Sequence, residues 1–297
     1  MLEVFYKDYK ELKEKYNKEG KEGNYYFKCD ENRINEYFVK HTHDKNKKEN
    51  EESQTVIHFG LLPQPFIGDV ENAKIIICSL NPGFSADDYN ADELHHNDIL
   101  EQLNPDNHNK TLFWLTEKPD DKGNLSGGAK WWQGKLDQKD KEKSLVYNII
   151  KKYKSDVESL SNEELKKEKE KVFKVLSENM AAIELFPYHS AKFNYTYLEK
   201  CESTRKIRKY VKELAENSQK SQLICFTRSF KYWKVNEIKK QADGNVNFIC
   251  NPSVQNISFN IKNKDFGGAI FEHIKKHLIE DSLNQNHRFN RWFAPPL

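Results

Sequence analysis

The chain has 297 residues, 37% of them hydrophobic and 32% charged, with a formal net charge of +2. That composition excludes a disordered chain and supplies a sizeable core, while the length fits either one large α/β domain or two small ones. Balanced charge excludes a global basic field, so any contact with nucleic acid has to come from local patches.

Cys29, Cys78, Cys201, Cys225 and Cys250 are odd in number and scattered, with no C-x-x-C pair. Buried reduced thiols are the expected reading; a zinc ribbon is disfavoured and nothing supports an iron–sulfur cluster. The opening M-L-E-V-F-Y-K-D has no cationic and apolar leader, and no apolar run approaches the ~18 residues of a membrane span. A cytoplasmic protein with no membrane contact, no cofactor and no metal is the expectation.

In chain order, Val4, Phe5, Tyr9, Leu12 and Tyr16 recur at the spacing of an amphipathic helix over 3–19. The polar, aperiodic stretch 41–53 reads as an exposed loop in which His41 and His43 lack a third metal ligand. Leu61 to Asp69 carries two prolines and suits an extended lead-in that brings Gln64 and Phe66 close to the next strand. That strand is Ile75 to Leu80, an apolar β-branched run broken at once by Asn81-Pro82-Gly83.

A helix is predicted over 86–103. The stretch 104–134, with Trp114, Trp131, Trp132 and Ser126-Gly127-Gly128, reads as a long irregular loop of the kind that forms lids. One or two helices follow over 144–179, their E-E-L-K-K-E-K-E-K tract read as a solvated face. Ala181 to Phe186 is a second strand stopped by Pro187, and a helix over 200–215 carries Arg205, Lys206, Arg208, Lys209 and Lys212. Gln222 to Thr227 and Val246 to Cys250 are further strands running into Arg228 and Asn251-Pro252-Ser253. A last helix over 268–279 precedes an aromatic and basic tail.

Strands alternating with helices imply a three-layer α/β/α fold around a central, mostly parallel four-stranded sheet, with residues 1–55 as an N-terminal helical extension and polar loop and 56–297 as the α/β/α domain. Asn81, Glu184, Arg228 and Ser253 then fall on one carboxyl-end rim, where open α/β sheets bind ligands.

Two rim segments resemble the paired motifs of the uracil-DNA glycosylase superfamily. Ser79-Leu80-Asn81-Pro82-Gly83 is similar to the G-[IM]-N-P-G loop of its mismatch-specific and single-strand-selective branches. Asn251-Pro252-Ser253-Val254-Gln255-Asn256 resembles the H-P-S-P or M-P-S-S loop, in the same order and about 170 residues later by the sequence numbering. The resemblance covers roughly residues 60–280.

It implies a monofunctional DNA glycosylase that flips a nucleotide out of the stack and hydrolyses its base-to-sugar bond. On that reading Asn81 holds the water, Pro82 and Gly83 let the backbone approach, Phe84 or Phe66 stacks on the base, and Gln64 lies beside it. Asn251 donates to the base, Ser253 bonds a phosphate, Val254, Gln255 and Asn256 probe the duplex, and Arg228 is a further contact with DNA.

Three departures bear on the substrate. Asn251 stands where many relatives carry His and cannot shuttle a proton; Asn81 stands where an aspartate would be a stronger base. Glu184, in Glu184-Leu185-Phe186-Pro187, stands where uracil readers carry the asparagine of an N-L-x-P pattern. A protonated carboxyl matches cytosine, accepting from N4 and donating to N3, and burial favours that form. A modified cytosine is therefore the expected base, by similarity to bacterial anti-phage glycosylases that attack DNA bearing glucosylated hydroxymethylcytosine.

A uracil or mismatch repair glycosylase, a non-catalytic DNA-binding module and a nucleoside-cleaving enzyme remain as alternatives. DNA is the partner in the first two, and no obligatory protein partner is evident. Adjacent His189 and Ser190 lack the acid and the G-x-S-x-G elbow of acyl transfer.

Overall fold

Ile75–Ser79 forms the middle strand of a five-stranded sheet. Its residues alternate between two apolar clusters: Ile76 and Cys78 belong to one, Ile75 and Ile77 to the other. A strand apolar on both sides needs a layer of cover on each. The computed structural model describes residues 2–43, 56–85, 87–192, 197, 199–216, 222–228, 230–241, 248–252 and 257–280.

In chain order the elements that matter are α1 (Glu3–Lys7), α2 (Tyr9–Glu19), α3 (Glu31–His43), β1 (Phe66–Ile67), β2 (Ile75–Ser79), α4 (Asp88–Leu103), α5 (Gly127–Leu136), α6 (Leu145–Tyr153), α7 (Asn162–Asn179) and β3 (Met180–Glu184). After them come α8 (Glu202–Glu216), β4 (Leu223–Phe226), α9 (Phe230–Trp233), α10 (Val235–Gln241), β5 (Phe248–Cys250) and α11 (Gly267–Ile274). The strand order is β1-β3-β2-β4-β5, parallel except at β1. Register sets Ser79 opposite Glu184 and Cys78 opposite Phe226.

The three-layer α/β/α expectation holds, with one strand added. The fifth strand is β1, whose Phe66 pairs with Ile183 and Ile67 with Ala182, antiparallel to β3. Two residues are too few to show a period in the sequence. The prolines before them suit an edge, because Pro65 serves as acceptor, taking the Glu184 amide at 2.9 Å.

Residues 2–38 contribute to the same packing as the sheet. Phe5, Tyr9, Leu12, Tyr16, Tyr25, Phe27, Ile34 and Tyr37 share one apolar cluster with Ile76, Cys78, Ile183 and Phe226. Each large side chain buried there stabilises by roughly 1.5–3 kcal/mol before conformational entropy is counted. The opposite face is covered by α6, α7 and α11 through Val146, Ile149, Ile150, Val172, Leu176 and Ile270.

Several local expectations are corrected. Helix α3 runs on to His43, so His41 and His43 lie on a helix rather than in a loop. The stretch 104–134 is not one irregular loop: a 3-10 turn forms at Phe113–Leu115, and α5 begins at Gly127 because Ser126 caps it, accepting from Ala129 N at 3.2 Å. In the charged tract, Glu168 is buried rather than solvated. It accepts from the Tyr153 hydroxyl and lies 3.0–3.2 Å from Lys171 and Lys154.

Truncating Ile77 to Ala removes a fully buried side chain from the central strand. The expected cost is about 2–5 kcal/mol of unfolding free energy, read as a lower urea midpoint at unchanged slope.

Candidate functional site

Parallel strands place their carboxyl ends on one rim, and a cavity of about 390 Å³ opens there. Its strand-end wall is made by Gln64, Ser79, Asn81, Pro82, Gly83, Phe84, Glu184, His189 and Arg228. The facing wall comes from α4, α5 and Trp114, and includes Asp88, Asp92, Trp131, Trp132 and Lys135. The sequence motif around Asn81, Glu184 from the next strand and Arg228 from the strand beyond are thus brought together.

Asn81 is 8% exposed, and its amide nitrogen is committed to Ser190, donating to the carbonyl at 2.8 Å and to the hydroxyl at 3.2 Å. The other branch of the amide is an oxygen, an acceptor that can take a hydrogen bond from a water. His189 Nδ1 lies 3.1 Å from the Gly83 carbonyl, which can only accept, so Nδ1 carries the proton. Burial pushes this imidazole down to about 4, so it is neutral at pH 7. Gly83 has φ +76°, a conformation that favours glycine, with open space beside its Cα.

Glu184 presents one carboxyl oxygen, Oε2, that is buried without a hydrogen-bond partner. Burial pushes the carboxyl up to about 8, and the nearby Arg228 guanidinium only partly opposes the shift. At neutral pH the group is therefore mainly the neutral acid, a donor and an acceptor on one side chain. Arg228 is the expected neighbour, and its Nε is likewise buried and unpaired. Phe84 lines the cavity with one ring face covered by the His58 imidazole, centroids 3.4 Å apart and planes 10° from parallel. The opposite face is the one a planar ligand can stack on.

The facing wall is held close by glycine. A Cβ on Gly128 would come within 2.8 Å of the Trp114 ring, and one on Gly127 within 2.7 Å of Asp88 Oδ1. Glu117 fixes the start of α5 by accepting from Ser126 N and Oγ, both at 2.6 Å, while facing His95 of α4 at 3.1 Å. Asp92 is buried, accepts from Leu62 N at 3.2 Å, and is pushed up to about 6 by burial.

Two sequence assignments are corrected. Phe66 does not reach the cavity: strand alternation turns Ile67 toward it and leaves Phe66 on the other face, edge-on to Phe5 and Tyr6. Asn251 does not line the cavity either; it is 0% exposed, and its amide donates to the Thr227 carbonyl at 3.0 Å. Ser253, Val254, Gln255 and Asn256 lie outside the described residues.

Sequence reading missed His189, Ser190, Asp88, Asp92 and Lys135 as site residues. The signals were present in part: residues 188–190 follow a strand-ending proline, and Asp88 and Asp92 are four apart on the helix that follows the Asn-Pro-Gly loop.

Comparison with protein-family models, curated proteins and solved structures gave no match to the chain. Among the described residues no cluster of His, Cys, Asp and Glu could hold a metal, and no helix is long and apolar enough to cross a membrane.

The Glu184 shift carries a stability signature. The native state holds the proton to higher pH than the unfolded chain, so stability falls as pH rises from the ordinary carboxylate value of 4.5 to about 8 and levels above. Glu184→Gln should flatten that part of the profile in urea unfolding across pH 4–9. A second expectation concerns α5: Gly128→Ala should cost about 1–3 kcal/mol by overpacking against Trp114, seen in the same unfolding assay.

Proposed function

We propose that the protein is a monofunctional DNA glycosylase acting on a cytosine-type base, a modified cytosine such as glucosylated hydroxymethylcytosine in phage DNA rather than uracil. The observation that carries this reading is the buried, unpaired Oε2 of Glu184 in the same cavity as Asn81 and the Phe84 ring. A cavity with a stacking face, a neutral acid and an amide fits a flipped base better than an extended peptide or a lipid.

In the reaction, the bond from the sugar C1′ to the base breaks and its electron pair leaves with the base. Glu184 donates its proton at N3 as charge develops there and accepts from the N4 amine, so the base departs neutral. Water, held by the Asn81 amide oxygen, adds to the oxocarbenium-like C1′. Its released proton returns to the Glu184 carboxylate or to solvent. Asn81 cannot remove a proton, so departure of the base leads and water attack follows. With Asn251 withdrawn into the core, Glu184 is the donor on which the leaving group depends. Arg228 and Lys135 supply positive charge to the cavity.

The position of Asn251 also favours a second reading, a module that holds a flipped base without cleaving it. The basic helix α8 adds little to either: Arg205, Lys206, Lys209 and Lys212 pair with Glu202, Glu213 and Glu216, and Arg208 donates to the Tyr232 carbonyl.

The test is incubation with DNAs carrying uracil, cytosine, hydroxymethylcytosine and glucosylated hydroxymethylcytosine, and with free nucleosides, followed by alkali to reveal abasic sites. Release from a modified-cytosine DNA, lost by about 10²–10³ in Asn81→Ala, supports the enzyme. Binding without release moves the assignment to the module, and turnover of free nucleosides moves it to a nucleoside hydrolase. Glu184→Gln should depress kcat on the cytosine-type base by about 10²-fold; an unchanged rate removes Glu184 from the chemistry.

A further inference from the structure

Three consecutive residues after β3 face three different ways. Ser190 accepts from the Asn81 amide through its carbonyl and hydroxyl, and His189 donates to the Gly83 carbonyl. Tyr188 points away from the cavity into the apolar cluster shared with the N-terminal helices. There its ring packs edge-on to Phe59 and Phe186, centroids 5.4 and 4.9 Å apart.

The Tyr188 hydroxyl is held from both sides. Phe27 N, which can only donate, points at it from 3.1 Å, so its own proton goes to Asp30 Oδ2 at 2.7 Å. The second oxygen of Asp30 accepts from Ser203 N at 3.0 Å, in the first turn of α8, where amides lack partners within the helix. Asp30 is 0% exposed, so this carboxyl is a fixed junction of the N-terminal segment, the strand-end segment and a helix.

We propose that Tyr188 and Asp30 are positioning residues for Asn81: the N-terminal segment, through this buried junction, sets the place of Ser190 and hence the direction in which the Asn81 amide oxygen points. The inference rests on the glycosylase reading for its kinetic consequence, though not for its structural one. The interior transmits a displacement because it is close-packed. Ser190 is two residues from Tyr188, and the intervening His189 is pinned by its bond to Gly83 and by His58 N on its carbonyl at 2.9 Å. A shift at residue 188 therefore reaches both residues that hold the Asn-Pro-Gly loop. This gives residues 2–43 a role at the site although none of them lines the cavity.

The experiment follows the Asn81 side-chain amide protons by NMR in ¹⁵N-labelled full-length protein, with the signal identified by its loss in Asn81→Ala. In Tyr188→Phe, which keeps the ring, and in Asp30→Ala, their exchange with solvent should rise by about tenfold or more while β2 backbone amides stay protected. Asp30→Asn keeps an acceptor and should restore part of the protection, and it also serves if Asp30→Ala does not fold. Wild-type exchange at Asn81 in a folded Tyr188→Phe overturns the proposal.

Base release supplies a second readout. Tyr188→Phe should lower kcat by about ten- to a hundredfold with KM within about twofold, because a misplaced water affects the reaction more than binding. A variant that is less stable but has unchanged kcat also overturns the proposal. Should the wild type release no base, the glycosylase reading fails by itself, and the amide exchange still decides the positioning.

Discussion

The two-sided burial of β2 is the constraint on which the rest of the structure depends. A strand with Ile76 and Cys78 on one face and Ile75 and Ile77 on the other cannot stand at a surface, so helical layers must close over both sides. One layer comes from α6, α7 and α11, the other largely from residues 2–38 together with α8. With both faces covered, β2 opens onto the cavity at its carboxyl end, where Ser79 and Asn81 line the wall. Cover and site have the same cause: the faces are closed, so the end is what remains for a ligand.

How much of this was legible in the sequence follows from the range of each interaction. The four longer strands show as short apolar runs with turn residues after them, mainly β-branched only in β2, because a buried parallel strand leaves a local signature. Strand β1 does not: its two residues are strand because β3 lies beside them, which no local pattern records. The same holds at the site. Asn81, Glu184, Arg228 and Phe84 could be placed because each follows or ends a strand, whereas Phe66 and Asn251 could not. Phe66 lies in an edge strand whose facing depends on register, and a shift of one residue exchanges the two faces. Asn251 follows a strand as expected, yet the carbonyl of Thr227, just past the end of neighbouring β4, takes its amide into the core.

Charge in the cavity is set more by burial than by composition. Its carboxyl groups, Asp88, Asp92 and Glu184, are all raised, in each case chiefly by desolvation. His189 is lowered for the same reason and stays neutral. Glu184 moves furthest, to a value above neutrality, because burial strips its water and no backbone amide offsets that, whereas Asp88 and Asp92 each accept from one through one oxygen. A nearly neutral chain thus carries a site whose hydrogen-bonding character differs from what its formal charges suggest.

The stack of Phe84 on His58 bears on the timing of ordering. A side chain that must settle into one rotamer when a ligand arrives gives up about 0.5–1.5 kcal/mol of affinity at that moment. Phe84 has already settled: His58 lies against one face, and Tyr89 meets the ring edge with centroids 6.0 Å apart. Burial lowers the His58 pKa, which favours the neutral imidazole, and the platform then attracts a planar partner by contact rather than by charge. The platform is thus packed against two neighbours before anything binds, so part of the entropy of fixing it is lost in folding rather than in binding.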